Sequence, residues 1–375
     1  MSITYKNRHP VILVPGIAGW GEYDGLHDVI PYFGYATYDG LFSPNTNSQN
    51  GPGMPIHTAS VGPFSSFYDR ACELIAQIKG IRTDYGEEHA GENGHLRYGR
   101  DFSKDKDGDD LPEEERGFYK EWDENHPIHL VGHSAGAQTC FVAHYILAND
   151  LMGIGSNADW IFSISNISGV INGTTLTTSL GQDPNTGSFD TGLGGAIISL
   201  VTGIFGGLST LPGDAIERLY DIDAQQWGFT KKTTSDGSTG QSLKEFLPQL
   251  VDGTSQFIKS NDNIAYDLTI QGCYNAIDKY FTEQPNTFYF SYTTQETHAG
   301  SWLWSRRNGW NKRHYSDIDM TPILGVFGNI MGRNNNGDLG KEPIPGWGEG
   351  NKQEKYWRAN DGAVPTISQS MPWIV

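Results

Sequence analysis

The amino-acid sequence predicts an α/β fold built on a mostly parallel, doubly wound sheet. Short apolar runs typical of buried strands alternate with helix-compatible segments, which is the pattern of such a sheet. The 375 residues provide enough chain for a large buried core. Charged residues make up only 19% of the chain and aromatic residues 12%, a composition that excludes intrinsic disorder.

The first predicted elements lie in the amino-terminal third of the chain. Residues 11–14 (VILV) form a β-branched apolar run that Pro15 and Gly16 stop, so we expect a buried parallel strand there. Residues 69–81 carry apolar side chains at helical spacing and predict an amphipathic helix. The charged residues 101–126 predict a solvated loop.

The middle of the chain predicts a strand, a tight turn and a helix in direct succession. The strand covers residues 128–131, the turn residues 132–136 (GHSAG) and the helix residues 137–147. Further strands are expected at residues 160–164 and 287–292. The alternation of these strands with helices favours parallel pairing.

Two segments lack a clear pattern. Residues 192–211 (GLGGAIISLVTGIFGGLSTL) are apolar and rich in glycine, and they fit either a buried helix or a mobile lid that shows its apolar face to lipid. This stretch alone does not separate the two. Residues 301–358 are rich in Trp, Gly and Asn with little periodicity, and we expect long loops there.

Charge and cysteine usage exclude several classes of protein. The net charge is −18, from 26 Lys and Arg against 44 Asp and Glu, so the chain repels phosphates and we expect no nucleic-acid partner. No apolar run of about 20 residues is present, so no transmembrane segment is predicted, and the amino terminus lacks the apolar region of a signal peptide. The 3 cysteines form no CxxC pair, which argues against a disulfide framework or a thiolate metal site.

The turn at residues 132–136 matches G-x-S-x-G, the pattern of a nucleophile elbow. The pentapeptide alone is a weak signal, but a strand before it and a helix after it are the context that the elbow requires. Ser134 is therefore the candidate nucleophile. An oxyanion formed during acyl transfer needs hydrogen-bond donors, and we expect these to be the backbone N–H groups of Ala135 and Ile17.

A nucleophilic serine also needs a histidine base and an acid that orients it. Asp361, in the sequence Asn-Asp-Gly, is the candidate acid, although an ordinary turn aspartate is the alternative. No histidine follows it in this sequence. We therefore expect a chain truncated or cleaved upstream of its own catalytic base, the alternative being a relocated base at His298 or His314.

Eleven separate segments resemble the bacterial lipases of family I.5, the zinc-containing thermoalkalophilic type. They occur in the family's order and span nearly the whole chain: residues 15–21, 61–66, 69–73, 84–86, 94–99, 132–139, 173–176, 226–228, 266–268, 285–287 and 360–362.

This resemblance implies an α/β-hydrolase fold in one domain, residues 1–375, whose carboxyl-terminal part in the family is absent here. It also implies a helical lid at about residues 175–235 and a zinc-binding insertion at about residues 69–100. The implied activity is hydrolysis of carboxylic esters of lipids at an interface, outside the cell, and some relatives also cleave synthetic polyesters. Two departures from the family lie near the oxyanion: Pro15 replaces a histidine, and Ala135 replaces a glutamine.

The resemblance further implies a structural zinc ion. Its ligands in the family are two Asp and two His, and the matching positions are Asp69, His89, His95 and Asp262. Two histidines six residues apart and two carboxylates can form a closed tetrahedral zinc shell without cysteine. The family's calcium site draws partly on residues beyond the catalytic histidine, so the resemblance leaves calcium open.

Two other functions stay open at this point. One is a catalytically inactive, zinc-stabilised, hydrolase-like binding protein, and the other is an acyltransferase or amidase on the same fold. Retention of Ser134 and Asp361 argues against the first, and the apolar residues 192–211 favour lipid esters over the amides of the second.

Overall fold

The computed structural model describes residues 8–34, 55–105, 108–186, 219–229, 255–300, 313–333, 339–340 and 353–372. The chain divides into two compact units. The first unit comprises Met1–Ser165, Asp214–Leu243 and Thr282–Phe290, and the second comprises Asn166–Gly213, Lys244–Phe281 and Ser291–Val375. Residues 192–211, with both interpretations of them, lie outside the described residues. The prediction of a single domain stays a prediction.

A five-stranded sheet forms the centre of the fold. Its strands are β1 (Val11–Val14), β2 (Ile56–Thr58), β5 (Ile128–His133), β6 (Ile161–Ile167) and β7 (Phe288–Tyr292), in the spatial order β2-β1-β5-β6-β7. Strand β1 pairs in parallel with β2 and with β5. The mostly parallel sheet with helices around it confirms the predicted α/β class.

The four strands and two helices predicted above are all present. Strand β5 runs two residues further than predicted, and the helices are α2 (Phe67–Lys79) and α4 (Gly136–Ala148). Helix α2 begins two residues before the predicted start because Ser66 caps it: the Ser66 side chain accepts a hydrogen bond from the Asp69 N–H. The two helices pack against each other.

The remaining elements of the first unit are short. They are helices α1 (Gly25–Val29) and α3 (Glu87–Asn93), the antiparallel strands β3 (Arg82–Asp84) and β4 (Tyr98–Asp101), and 3-10 turns at Glu113–Glu115, Ala158–Trp160 and Gln225–Trp227. The residues of the predicted zinc-binding insertion, about 69–100, lie in α2, β3, α3 and β4, and the insertion itself stays a prediction. The predicted solvated loop after β4 has exposed glutamates, but its Trp122 is buried.

The second unit contains five helices and two strands among its described residues. They are α5 (Leu176–Ser179), α6 (Gln256–Lys259), α7 (Ile264–Asp267), α8 (Ile270–Tyr280) and α9 (Pro322–Met331), with β8 (Thr297–Ala299) antiparallel to β9 (His314–Ser316). Two 3-10 turns, Glu354–Tyr356 and Thr366–Gln369, lie near the carboxyl end. Buried Ile270, Leu339 and Trp357 form a hydrophobic cluster.

The prediction of loops over residues 301–358 was wrong where the structure has α9 and β9. Helix α9 starts with Pro322 at its first position, where the missing N–H of proline costs no hydrogen bond, and Gly332 follows its last residue. Pro322 at the start and Gly332 after the end were the sequence signals that could have predicted this helix. No helix in the described ranges is long and apolar enough to cross a membrane.

Candidate active site and metal centre

Ser134 lies on the turn between β5 and α4 in a strained backbone conformation. Its φ is +54°, a left-handed value that serine rarely adopts. A Cβ atom on Gly132 would collide with the backbone of Gly136, and one on Gly136 would collide with the Val14 carbonyl. The two glycines are therefore necessary for the tight turn, as the elbow pattern requires.

The loop after β1 packs directly against this serine. A Cβ atom on Gly16 would lie 2.8 Å from the Ser134 Cβ and 3.1 Å from its Oγ. The two predicted oxyanion donors, Ile17 and Ala135, are buried. Ala135 caps α4, whose amino end carries partial positive charge and favours an anion. The structure thus brings the loop of Ile17, Ser134 and Ala135 together.

A residue that the sequence did not single out, Tyr32, joins this loop to the elbow. Its hydroxyl accepts a hydrogen bond from the Gly16 N–H at 3.1 Å and lies 2.8 Å from the Nδ1 of His133. Burial raises the pKa of Tyr32 to about 12 and lowers the pKa of His133 to about 4. Both groups are therefore neutral at neutral pH, and the hydroxyl donates to Nδ1.

Asp361, in the second unit, is held by hydrogen bonds on both carboxylate oxygens. The Ala363 and Val364 N–H groups donate to Oδ1 at 3.0 and 2.8 Å. The Thr294 hydroxyl and the Gln369 amide donate to Oδ2 at 2.8 and 3.0 Å. Burial raises the pKa of Asp361, and these hydrogen bonds oppose the shift because they stabilise the charged form.

The two late histidines belong to other contacts. His298 Nδ1 lies 2.6 Å from Asp317 Oδ1, and buried His314 lies 3.3 Å from the Thr297 hydroxyl. In the part of the chain that the structure describes, neither histidine is a hydrogen-bond partner of Asp361. A relocated base at either position has no support from these contacts.

Three of the four predicted metal ligands converge in the first unit. The ligand atoms of Asp69, His89 and His95 lie within 4.8 Å of one another. Asp69 Oδ1 is 3.0 Å from His89 Nε2 and 3.8 Å from His95 Nε2. Ligand atoms about 2.0–2.1 Å from a tetrahedral zinc ion are about 3.3 Å apart, so this spacing and donor set could hold a metal ion.

Neighbouring groups orient two of these ligands. Gln226 donates from its side-chain Nε2 to Asp69 Oδ2 at 3.0 Å, and the backbone carbonyl of Gln226 accepts from the Leu96 N–H at 2.8 Å. His95 Nδ1 lies 2.9 Å from the Leu96 carbonyl, so Nδ1 carries the proton and Nε2 faces Asp69. Such support of ligands by a second hydrogen bond is usual at metal sites.

A protein-family model described as "Lipase-like, C-terminal domain" matches residues 7–343. The chain belongs to this family. The match covers both the elbow and the three converging ligands.

Solved structures similar to this lipase-like domain include two bacterial enzymes. EstA from Clostridium botulinum is 30% identical with a TM-score of 0.70, over 99% of this chain and 76% of that one. Lipase 1 from Pelosinus fermentans is 28% identical with a TM-score of 0.68, over 98% of this chain and 84% of that one. These matches confirm the predicted resemblance to bacterial lipases.

Curated relatives of the lipase-like domain are longer. "Lipase 1" of Staphylococcus aureus is 29% identical over 377 residues, which cover 98% of this chain and 46% of that protein. The chain thus spans about half the length of the curated relatives it matches.

The fourth predicted ligand of this lipase-like domain, Asp262, lies in the second unit between α6 and α7. It is buried, and its N–H donates to the Ser260 hydroxyl at 3.3 Å. Asn263, beside it, caps α7 by accepting from the Tyr266 N–H.

Proposed function

We propose that this protein is a carboxylic ester hydrolase that acts on lipid esters through Ser134. The observation that carries the proposal is the strained elbow: Ser134 at φ +54°, with the Gly16 loop packed against its Oγ. The names of the relatives, lipases among them, support the same activity. By resemblance we also propose an extracellular location and substrates at an interface, polyesters among them.

The chemistry follows from the positions of these groups. Ser134 Oγ attacks the ester carbonyl carbon, the bond to the alcohol oxygen breaks, and water later releases the acid from the acyl-enzyme. The N–H groups of Ile17 and Ala135 bind the oxyanion. Asp361 orients the histidine that takes the serine proton, and this histidine is not assigned among the described residues. Nothing in the described contacts favours the acyltransferase or binding-protein alternatives.

We also propose that Asp69, His89, His95 and Asp262 hold a structural zinc ion. Four protein ligands close the shell and leave no position for a substrate water, so the ion supplies folding energy and no chemical step. Asp69 comes from α2, His89 from α3, and His95 from the turn before β4. The ion would therefore fasten the insertion formed by these elements.

A fluorophosphonate probe tests the nucleophile. We expect slow covalent labelling of Ser134 with loss of fluoride, because no histidine base is assigned among the described residues, and no labelling of a Ser134→Ala protein. Ser156→Ala is a matched control, because it removes a serine hydroxyl that donates to the Leu147 carbonyl at 3.0 Å and contacts neither the elbow nor Asp361. Labelling that persists in Ser134→Ala, or is absent from the unmodified chain, would contradict the proposal.

A further inference from the structure

Arg70, on α2, is a fully buried cation, and within the described ranges its hydrogen bonds all go to uncharged oxygens. Among the described residues its acceptors are the Thr139 hydroxyl at 3.1 Å and the carbonyls of Gly62, at 2.8 Å, of Pro15, and of Gly16, at 3.4 Å. Burial lowers its pKa to about 10, and nearby Glu73 opposes the shift, so the guanidinium stays protonated at neutral pH. Burying a charge costs free energy, so the groups that the Arg70 guanidinium holds in place indicate why the charge is there.

One side of the guanidinium holds the loop that carries Ile17. The Gly16 carbonyl and the Ile17 N–H belong to one planar peptide unit and point in opposite directions, so a donor that fixes the carbonyl also directs the N–H. A cationic donor on the carbonyl further polarises the peptide and strengthens the N–H on its other side. The Pro15 carbonyl, bound by the same Nη2, fixes the preceding peptide.

The other side of the guanidinium reaches the amino end of α4. Arg70 Nε donates to the Thr139 hydroxyl, which itself donates to the Ala135 carbonyl at 3.2 Å. Ala135 supplies the second oxyanion donor in the proposed function. A single side chain therefore contacts both halves of the oxyanion hole from behind, one directly and one through Thr139.

We propose that Arg70 is a positioning residue that fixes the loop of Ile17 relative to the amino end of α4. It contacts no reacting atom and acts through the two backbone N–H groups. The inference rests on the proposed function of Ser134 for its catalytic meaning, but the restraint on the loop can be measured without any activity.

Two variants and a matched control separate this role from simple burial. Arg70→Met removes all the donors at similar length, and Arg70→Lys keeps the charge without the planar fork. Gln77→Met is the control, because Gln77 is also buried on α2 but bonds to the backbone of Ser60. The first measurement is amide hydrogen exchange at Ala18 and Gly19, whose N–H groups bond to Pro63 and Gly16 within the folded loop.

The second measurement is the rate of Ser134 phosphonylation by a p-nitrophenyl alkylphosphonate. In Arg70→Met we expect loop exchange at least about tenfold faster and phosphonylation about 10- to 100-fold slower, with unchanged probe affinity, because only donor geometry changes. Arg70→Lys should be intermediate, and Gln77→Met should match the unmodified protein. A slower phosphonylation rate with unchanged probe affinity would not follow from a loss of packing alone.

Unchanged loop exchange in a folded Arg70→Met protein would overturn the inference. If that protein does not fold, Thr139→Val is the alternative variant, because it removes the hydroxyl that links Arg70 to the Ala135 carbonyl. Unchanged phosphonylation in both Thr139→Val and Arg70→Lys would then overturn the inference. Labelling that survives Ser134→Ala would instead remove the proposed function, and the exchange result would still report on the loop.

Discussion

The Tyr32 hydroxyl is the acceptor for one N–H group of the loop beside the nucleophile. We expect Tyr32→Phe to lower the free energy of unfolding by about 1 kcal/mol, because the Gly16 N–H loses a partly buried hydrogen bond. Ser134 phosphonylation should slow about tenfold, since the loop loses a restraint. Urea denaturation and labelling kinetics measure the two effects.

Tyr23→Phe is the control for this change. The Tyr23 ring packs edge-on against Phe102 at 5.3 Å, and its hydroxyl has no hydrogen-bond partner among the described residues. A Tyr32→Phe protein that behaves like Tyr23→Phe in both measurements would show that the hydroxyl is unimportant.

The candidate site could be predicted from sequence only where its signal is local. Ser134 lies in a pentapeptide whose glycines are required by the tight turn. The strand before it and the helix after it are each predicted by the periodicity of their own apolar residues. Tyr32 and Arg70 act on residues 101 and 55 positions away. Gln226 supports Asp69 across 157 positions. No spacing rule relates residues so far apart, so only the folded chain identifies these contacts.

Among the elements, those with a buried apolar face were the predictable ones. The apolar residues of helix α2 repeat at helical spacing, and those that face the core in strand β5 alternate along the strand. Helix α9 was missed because its sequence, PILGVFGNIM, is apolar nearly throughout and so lacks a polar face. Its neighbours in sequence, rich in Gly and Asn, are typical of loops, and only the residues at its two ends mark its limits.

The contact of α4 with the turn at Ala158–Trp160 and with β7 contains a buried histidine. His144 Nε2 donates to the Ala158 carbonyl at 3.0 Å, and its Nδ1 lies 3.2 Å from the Tyr289 hydroxyl. Burial lowers the pKa of His144 to about 4, against 6.5 for the unperturbed side chain. The unfolded chain therefore binds a proton first as the pH falls, and His144 must make the protein less stable between pH 6.5 and 4.

We expect His144→Gln to weaken this part of the pH dependence. Between pH 7 and pH 5 the unmodified protein should lose about 2 kcal/mol more stability than the variant, because one proton separates the unfolded and folded states over most of that range. Glutamine can still donate to the Ala158 carbonyl, so the comparison isolates titration. Urea denaturation at both pH values measures it, and parallel losses in the two proteins would contradict it.

For the whole molecule, the proposed zinc ion makes stability depend on metal. We expect about one zinc per chain after purification without added metal, and its release as acid protonates the histidines. A chelator should lower the melting temperature before it affects labelling of Ser134, because the closed shell takes no part in the chemistry. Elemental analysis and calorimetry test both statements.

His89→Ala should lose the zinc and melt at a lower temperature. His126→Ala is the matched control, because His126 is an exposed histidine that also contacts a carboxylate, Asp123, at 2.9 Å. Unchanged zinc content and stability in His89→Ala would exclude the metal site. Asp262→Asn tests the fourth ligand in the same way.

The class of the whole fold followed from the order of strands and helices, because right-handed connections between parallel strands leave few arrangements. The division into two units did not follow, since each unit is assembled from three separate stretches of chain. Such a division depends on contacts between distant stretches, which composition and periodicity do not record.

Asp69 and Arg70 occupy consecutive positions of α2, and this constrains how the protein can be engineered. One residue of helix is about 1.5 Å of rise and a hundred degrees of rotation, so any shift of α2 moves both side chains together. A mutation at the metal site that displaces α2 would therefore also move the Arg70 guanidinium relative to the loop of Ile17. Variants of α2 that are selected for heat resistance should therefore be screened for turnover as well. An insertion that is transplanted into another protein should carry α2 together with the loop of Ile17 that Arg70 holds.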